Sequence, residues 1–447
     1  MSERLLCKAI YLKKRTNKKE QGNTLSFLSF SYQYLHKAML NNNPPVEYRM
    51  FATTPRGMEF ITSQEIREKF SSTGHIEDIR SLREFYNKGI VSFTLVARTD
   101  DDLAALLTEC VDLRSIDNLF ATIAQKDSNF PLEEEEGYTQ AEAMGTNPPY
   151  IQDAMHVLKV ALTHIAPKDP RVLPAKKEGL PPINLDAPLF RVTCVRDGMH
   201  KFRSQDIAGR IGYGIEICTG WKVCLTKWDV EIYARCCDDG MWVGLSLTHR
   251  DHTDLYKRHR TVLCPTTLKA SIAYGMCKLA DLVPGEDLIL CDPMCGSGTI
   301  PIEASLAWPG LSRLIFAGDN STDAVDITAA NIKGAGNLPM CNVQGIAWNA
   351  ASLPLRDGCV DVFFSDMPYG QRCGCRRDNM RNYGRILKEI ARVLVPHGKG
   401  RAVLLTYERA LMKRLLTQLA DIIVLKKFYL VDNSGYQVGL YLLTTPE

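Results

Sequence analysis

Over residues 265–447, short apolar runs alternate with segments of helical period, and this pattern constrains the chain more than any other feature. Pro265–Leu282 reads as a helix with proline near its first turn. Strands are expected at 287–291, 313–318, 343–348, 360–365, 401–406, 421–430 and 436–443. Helical stretches at 300–308, 322–333 and 382–395 separate the first five. A strand–helix alternation of this kind gives a parallel sheet with helices on its faces. The last two strands are joined only by Asn433-Ser434-Gly435. That link is too short for a parallel crossover, so they must form an antiparallel hairpin at or near the sheet edge. A mostly parallel seven-stranded α/β sheet ending in such a hairpin is the class I, Rossmann-like methyltransferase architecture. Dehydrogenase sheets do not usually end this way.

The first strand runs into Asp292-Pro293-Met294-Cys295-Gly296-Ser297-Gly298-Thr299 and then a helix. Two glycines two apart let the backbone approach a ligand at a helix N-terminus. A second acid, Asp319, ends the next strand, where a carboxylate can accept both ribose hydroxyls. Position 301 is proline, so the third glycine of a dinucleotide fingerprint is missing. An acid opening the loop would repel a phosphate, but it suits the cationic methionine end of S-adenosylmethionine. The pattern favours that cofactor over NAD. Asn349, just past the third strand, is placed to accept a hydrogen bond from an adenine amino group. Cys295 reads as a small packing residue.

The fourth strand leads into Asp366-Met367-Pro368-Tyr369-Gly370, at the carboxyl edge of the sheet beside the cofactor loop. An acceptor, a proline and an aromatic in a row suit methylation of a flat amino group. The lone pair of such a nitrogen is delocalised into its ring. A carboxylate and a backbone carbonyl can take its N–H bonds and pull it toward tetrahedral geometry, while Tyr369 stacks on the base. Asp rather than Asn favours guanine, whose N1–H and N2–H are adjacent donors, over adenine N6. Asn147-Pro148-Pro149-Tyr150 has the amino-methyltransferase spelling, but it follows no strand and reads as a Pro-Pro loop. Basic residues crowd 372–401; Arg372, Arg376 and Arg377 stand next to the catalytic loop, where substrate phosphates would lie.

Composition adds limits. The chain has 447 residues, 54 Lys+Arg against 51 Asp+Glu, and 45% apolar residues, so it can build large cores and its net charge implies no polyanion. No apolar run reaches transmembrane length, no secretory signal lines up, and no membrane association is expected. Its 15 cysteines show no regular spacing. Reduced thiols in an intracellular, cytoplasmic protein are expected, with no metal site. Residues 1–48 read as a basic tail, and 49–124 as a small α/β unit with a helix at Ile61–Phe70, a strand at Gly89–Val96 and a helix at Leu103–Cys110. Residues 125–188 read as a flexible acidic insertion and Pro-rich linker with one helix, at 151–165. A compact α/β unit follows over 189–260, and the catalytic unit over 261–447.

DPMCGSGTIPIEA, AGDN, LPLRDGCVDVFFSDMPYGQR and GRAVLLT resemble the catalytic domain of THUMP-domain tRNA guanosine-N2 methyltransferases. FRVTCVRDGMHKFRSQDIAGRIG, WKVCLTKWDVEIYARCCDDGMWVGLSLT and PTTLKASIAYGM resemble their THUMP domain and the junction after it. TTPRGMEF and LRSIDNLF resemble the ferredoxin-like part that precedes it. The resemblance implies methyl transfer from S-adenosylmethionine to N2 of a tRNA acceptor-stem guanosine, at position 6. It implies a partner, a small zinc-binding activator subunit, docked on the catalytic domain. By motif position it assigns Asp292, Gly296, Gly298, Thr299, Asp319 and Asn349 to the cofactor. It assigns Asp366, Pro368 and Tyr369 to catalysis, and Arg191, Arg196, Lys201 and Arg203 to the tRNA end. Relatives usually carry Asp where Asn349 stands. A non-catalytic tRNA-binding adaptor is the rival reading, and the intact Asp366-x-Pro368-Tyr369 argues against it.

Overall fold

In a computed structural model of the chain, residues 44–169, 172, 184–248, 260, 262–264, 267–282, 287–310, 312–335, 342–370 and 376–447 are described. Residues 1–43 of the basic tail, residues 170–171 and 173–183 of the Pro-rich linker, and Arg372 lie outside them, whereas the last three residues expected in the tail, Val46 to Tyr48, begin the first strand.

The N-terminal module begins as a βαββαβ unit. Its elements are β1 (Val46–Thr53), α1 (Glu59–Ser72), β2 (Ile79–Phe85), β3 (Ile90–Ala97), α2 (Asp100–Val111) and β4 (Asn118–Lys126). Thr99 caps α2 by accepting the Asp102 N–H at 3.0 Å. Two helices follow, α3 (Glu134–Gly145) and α4 (Pro148–Val160), and a π-turn (Ala161–Ile165) extends the second. Then come β5 (Leu189–Asp197), α5 (Ser204–Thr219), β6 (Lys222–Val223), β7 (Val230–Cys237) and β8 (Gly240–Ser246). The strands form a single eight-stranded sheet, ordered β2-β3-β1-β4-β8-β7-β5-β6. The ferredoxin-like half and the half that follows it therefore share one sheet, joined where β4 pairs antiparallel with β8.

Residues 125–150 differ from the flexible insertion expected of them. The acidic run Glu134–Glu136 forms the first turn of α3, where carboxylates complement the positive end of the helix dipole. A charge run that looks like solvated chain is here a helix start. Phe130 and Phe202 are fully buried beside it. Asn147-Pro148-Pro149-Tyr150 is also a helix start rather than a loop, with the prolines in the first positions of α4, where a missing N–H costs nothing.

The catalytic unit contains α6 (Ala270–Leu279), β9 (Leu288–Asp292), α7 (Thr299–Ala307), β10 (Ser312–Asp319), α8 (Thr322–Gly334), β11 (Val343–Ala347), β12 (Val362–Asp366), α9 (Arg376–Val393), β13 (Arg401–Thr406), α10 (Arg409–Gln418), β14 (Val424–Asn433) and β15 (Tyr436–Thr444). Its seven strands run β11-β10-β9-β12-β13-β15-β14. The first five pair in parallel, β15 pairs antiparallel with β13, and β14 is the edge partner of β15. This is the expected architecture. The helix missing from the sequence reading is α10, whose buried side chains are Leu411, Met412, Leu415 and Leu416. Cationic and polar residues break that short apolar stripe. The order reverses between β9 and β12, so the crevice of the sheet opens there.

The module is seated on the catalytic unit by the segment that enters α1. Met58 and Ile61 belong to the same buried cluster as Ile272, Met276, Val431 and Leu440. Phe60 stacks on Tyr429 with ring centroids 5.1 Å apart. Gly57 has φ +84°, and a Cβ there would lie 1.9 Å from the Leu430 carbonyl oxygen, so no other residue fits against β14. The Asp432 N–H donates to the Arg56 carbonyl at 3.1 Å. Ion pairs frame the contact: Arg114 with the buried Glu303 at 2.9 Å, and Lys269 with Asp117 at 2.9 Å. No helix among the described residues is long and apolar enough to cross a membrane.

Candidate active site

The ends of β9, β10 and β12 face one cavity of about 960 Å³. The loop from Asp292 to Thr299 forms its floor. Gly296 and Gly298 sit at φ +56° and +76°, and a Cβ on Gly296 would meet nothing within 4 Å. That open side is where a ligand can approach the backbone. Asp319 locks the loop: one carboxylate oxygen accepts the Gly296 N–H and the other the Ser321 N–H, both at 3.0 Å. The Cys295 N–H donates to the Gly318 carbonyl at 2.8 Å, and Trp348 Nε1–H to the Pro293 carbonyl at 3.2 Å. The ends of three adjacent strands are thus fixed against one another before any ligand arrives.

Charge in the cavity is one-sided. Asp292, Asp319, Asp323 and Asp366 line it, and no described lining residue is a lysine or arginine. Asp292 is buried, and its carboxyl is pushed well above the ordinary carboxylate range by burial, partly offset by the Met294 N–H and reinforced by Asp319 and Asp366. Such a cavity favours a cation and disfavours a pyrophosphate. Asn349 lines it too; its side-chain carbonyl accepts the Ala351 N–H at 2.9 Å, which orients the amide. Thr299 also lines the cavity, but its hydroxyl is engaged by Arg260 and lies 3.3 Å from that of Ser297.

Asp366 ends β12. Its Oδ1 is buried with no hydrogen-bond partner among the described residues, and burial pushes its pKa up to about 7, against a hydrogen bond with Tyr369 that favours the charged form. The loop behind it is held tightly. The Met367 N–H donates to the Leu405 carbonyl at 2.9 Å. The hydroxyl of Tyr383, on α9, donates to the Pro368 carbonyl at 2.6 Å and lies 2.8 Å from the Thr406 hydroxyl. Asn433, in the β14–β15 turn, donates its amide N–H to the Tyr369 hydroxyl at 3.0 Å. Tyr369, Tyr407 and Tyr436 have ring centroids 5.6–6.4 Å apart. They form an aromatic wall beside the Asp366 carboxyl, with which Tyr369 shares a hydrogen bond.

All nine cofactor and catalytic residues expected from sequence line this cavity except Gly298, which caps α7 beneath it. Tyr383, Asn433 and Tyr436 were missed. Asn433 is legible only as turn chemistry, and Tyr383 only as an aromatic within a basic stretch. Of the expected RNA contacts, Arg191, Arg196, Lys201 and Arg203 sit elsewhere, in the N-terminal module, and each of these four has a partner in the chain. Arg191 pairs with Glu231 at 3.0 Å and lies over the Trp228 ring. Arg196 donates to the Gly198 carbonyl at 3.0 Å, Lys201 pairs with Glu133 at 2.7 Å, and Arg203 with Asp206 at 3.2 Å. Arg376 opens α9 and Arg377 is exposed in its first turn.

The strand order, the glycine loop and the acidic end of β12 together define a class I methyltransferase fold. Residues 257–431 match the family described as UPF0020, RMKL-like, methyltransferase domain. The chain is 36% identical over 269 residues to the tRNA (guanine(6)-N(2))-methyltransferase THUMP3 of Bos taurus, which covers 58% of this chain and 52% of that protein. It is 32% identical over 222 residues to the U6 snRNA (guanine-N(2))-methyltransferase THUMPD2 of Homo sapiens, covering 49% of this chain and 41% of that one. The chain spans about half the length of the curated relatives it matches. Among solved structures, TrmN from Thermus thermophilus superposes with a TM-score of 0.63 at 22% identity, over 89% of this chain and 99% of that one. The resemblance to THUMP-domain guanosine-N2 methyltransferases therefore extends beyond the motifs that first carried it.

Proposed function

We propose that the chain is an S-adenosylmethionine-dependent RNA methyltransferase acting on the N2 amino group of a guanosine in tRNA. One observation carries this reading most. Asp366, one of whose carboxyl oxygens has no partner among the described residues, lines an acidic cavity with no lysine or arginine among its described lining residues, beside a cluster of tyrosines. When bound, the cofactor supplies an electrophilic methyl group on a sulfonium. Asp319 is placed for its ribose hydroxyls, Asn349 for its adenine and the Gly296 backbone for its close approach. A bound sulfonium and ammonium would favour the ionised forms of Asp292 and Asp366, which then supply the negative field those cations need. The donor set fits.

Asp366 then has two tasks. Its free oxygen accepts the adjacent N1–H and N2–H of guanine, which fixes the base edge and localises the amino lone pair. Transfer would form the N–C bond as the methyl–sulfur bond breaks to leave a neutral thioether, and the nitrogen, then cationic, would have to lose a proton. A carboxylate whose pKa lies near 7 can take it directly or pass it to water. Tyr369 supplies the stacking face, and Tyr383 and Asn433 hold the loop so that Asp366 keeps its place.

The resemblance supports the finer points: an acceptor-stem target at position 6, a small zinc-binding activator subunit as partner, and a cytoplasmic site of action. It also supports tRNA-end contacts by Arg191, Arg196, Lys201 and Arg203, and phosphate contacts by Arg372, Arg376 and Arg377. The likeness to a U6 snRNA enzyme makes that RNA the second substrate to offer. The test is nucleoside mass spectrometry on unmodified tRNA and U6 snRNA, each incubated with S-adenosylmethionine and the chain, with and without the activator subunit. N2-methylguanosine in tRNA, absent with Asp366→Ala, is the expected result. Methylation of U6 snRNA alone would redirect the substrate. Cofactor binding without any methylated nucleoside would overturn the reading.

A further inference from the structure

A second concavity, of about 320 Å³, opens in the N-terminal module between β4, the end of α3 and the start of α4. Its character is opposite to that of the catalytic cavity. Arg49 and Lys126 line it, with Thr122, Gln140, Asn147 and Tyr150, and none of its described lining residues is an aspartate or glutamate.

The sheet itself leaves the opening. The pairing of β1 with β4 runs from Met50↔Ala121 to Thr53↔Asn118, but β4 continues to Lys126. On its other side the ladder with β8 shifts register between Thr122 and Ala124. A bulge of this kind bends the strand and re-aims side chains. At the bulge, Thr122 is buried and its hydroxyl has no partner among the described residues. Buried hydroxyls are rarely left so without a ligand or a water. The guanidinium of Arg49 lies over the Tyr150 ring, 4.5 Å from its centroid. Stacking uses its face and leaves its N–H edge for a planar or tetrahedral anion. Lys126 spends one N–H on the Gln140 carbonyl at 3.0 Å and keeps two. The positive end of α4 points the same way, and Asn147 at its N-cap makes no side-chain capping bond.

We propose that this pocket binds a phosphate group, carried either on an RNA strand or on a free nucleotide. Arg49 grips it from the edge, Lys126 adds a point charge, and Thr122 and Asn147 complete the hydrogen bonds. Tyr150, held flat by Arg49, offers part of its ring to the attached base. The Asn147-Pro148-Pro149-Tyr150 tetrapeptide thus presents a polar helix start and an aromatic to an anion, rather than an amino group to a methyl donor.

The experiment is calorimetric titration of the full-length chain with inorganic phosphate, adenosine monophosphate and an eight-nucleotide single-stranded RNA. Each ligand is run on wild type, Arg49→Gln and Lys126→Gln. Each substitution should weaken the ligand that binds by about tenfold, the scale of a lost charge-assisted contact. S-adenosylhomocysteine affinity, unchanged, reports that the variant is folded. Should Arg49→Gln fail that control, Lys126→Gln decides. If adenosine monophosphate binds and loses affinity in the variants, the source is a free nucleotide. If only the RNA does, and the slope of its affinity against salt falls by about one, the source is a strand phosphate. Equal affinities in wild type and variants for every ligand, or no binding by any, would overturn the proposal. Asp366→Asn should leave all these titrations as in wild type, which keeps this site separate from methyl transfer.

Discussion

The two halves of the catalytic cavity are built by different means. The half proposed to hold the cofactor comes from one continuous loop, Asp292–Thr299, and the ends of the next two strands. Its geometry is mostly backbone: two left-handed glycines and a carboxylate clasping two N–H groups. The half proposed to hold the base gathers Asp366 to Tyr369, Tyr383 on α9, Thr406 and Tyr407 at the end of β13, and Asn433 and Tyr436 on either side of the β14–β15 turn. The N-terminal module braces that turn from behind, through Arg56, Gly57 and Phe60. A local half should tolerate distant change, whereas a convergent half should not.

The largest expected effect is at Asp366. Asp366→Asn keeps the shape but loses the anionic acceptor, and methyl transfer should fall by about 10²–10⁴-fold, with a much smaller change in cofactor affinity. Its pH dependence is equally specific. Asp366 is protonated below about pH 7 in the free protein, so kcat/KM should rise with pH through about 7 and then level. The variant should lose that limb. Stability runs the opposite way. A carboxyl with a raised folded pKa stabilises at low pH, and that contribution is lost as pH rises through about 7. Asp366→Asn should therefore raise Tm more at pH 8 than at pH 5. A Tm change independent of pH would show that the carboxylate is solvated.

Next comes a change far from the chemistry. Gly57→Ala puts a Cβ against the Leu430 carbonyl in a backbone conformation that L-residues avoid. The module must then shift from the hairpin that carries Asn433. Displacements of about 1 Å can cost on the order of 10²-fold in rate. Methyl transfer should fall by up to that amount, with S-adenosylhomocysteine affinity near wild type. A matched loss of cofactor binding would break the distinction between the halves.

Tyr383→Phe is a smaller cut. It strips the donor from the Pro368 carbonyl without emptying the core, because the ring stays. About 1 kcal/mol of stability and about a five- to tenfold lower kcat, with unchanged cofactor affinity, are expected. The Thr406 hydroxyl, left with the Glu408 N–H as its contact at 3.0 Å, should not rescue it.

The same contrast explains what sequence could reveal. Asp292, Gly296, Gly298 and Asp319 are legible because strand, turn and helix fall in a fixed order along one stretch of chain. Asp366 and Tyr369 are legible because the motif is contiguous. Tyr383, Asn433 and Tyr436 carry no local mark; α9 brings Tyr383 to the Pro368 carbonyl, and only the closure of β13, β15 and β14 brings Asn433 and Tyr436 to Tyr369. The acidic run at Glu134–Glu136 misled for the reverse reason. Its local composition reads as solvated chain, while its role as a helix start depends on packing of α3 against the rest of the module.

The smallest effect sharpens the cofactor half. Asn349 keeps its side-chain carbonyl on the Ala351 N–H and has one more lone pair to offer an adenine amino group. Asn349→Asp replaces a neutral acceptor with a charged one, which roughly doubles the strength of such a bond. It also adds a negative charge to a cavity already lined by Asp292 and Asp319, so part of the gain is spent in repulsion. The net expectation is a two- to fivefold tighter binding of S-adenosylhomocysteine, about 0.5–1 kcal/mol, with kcat unchanged. Tighter binding with unchanged kcat would place Asn349 at the adenine and nowhere near the transferred group. A fall in kcat would instead mean that its charge reaches Asp366, and that the two halves are electrostatically one.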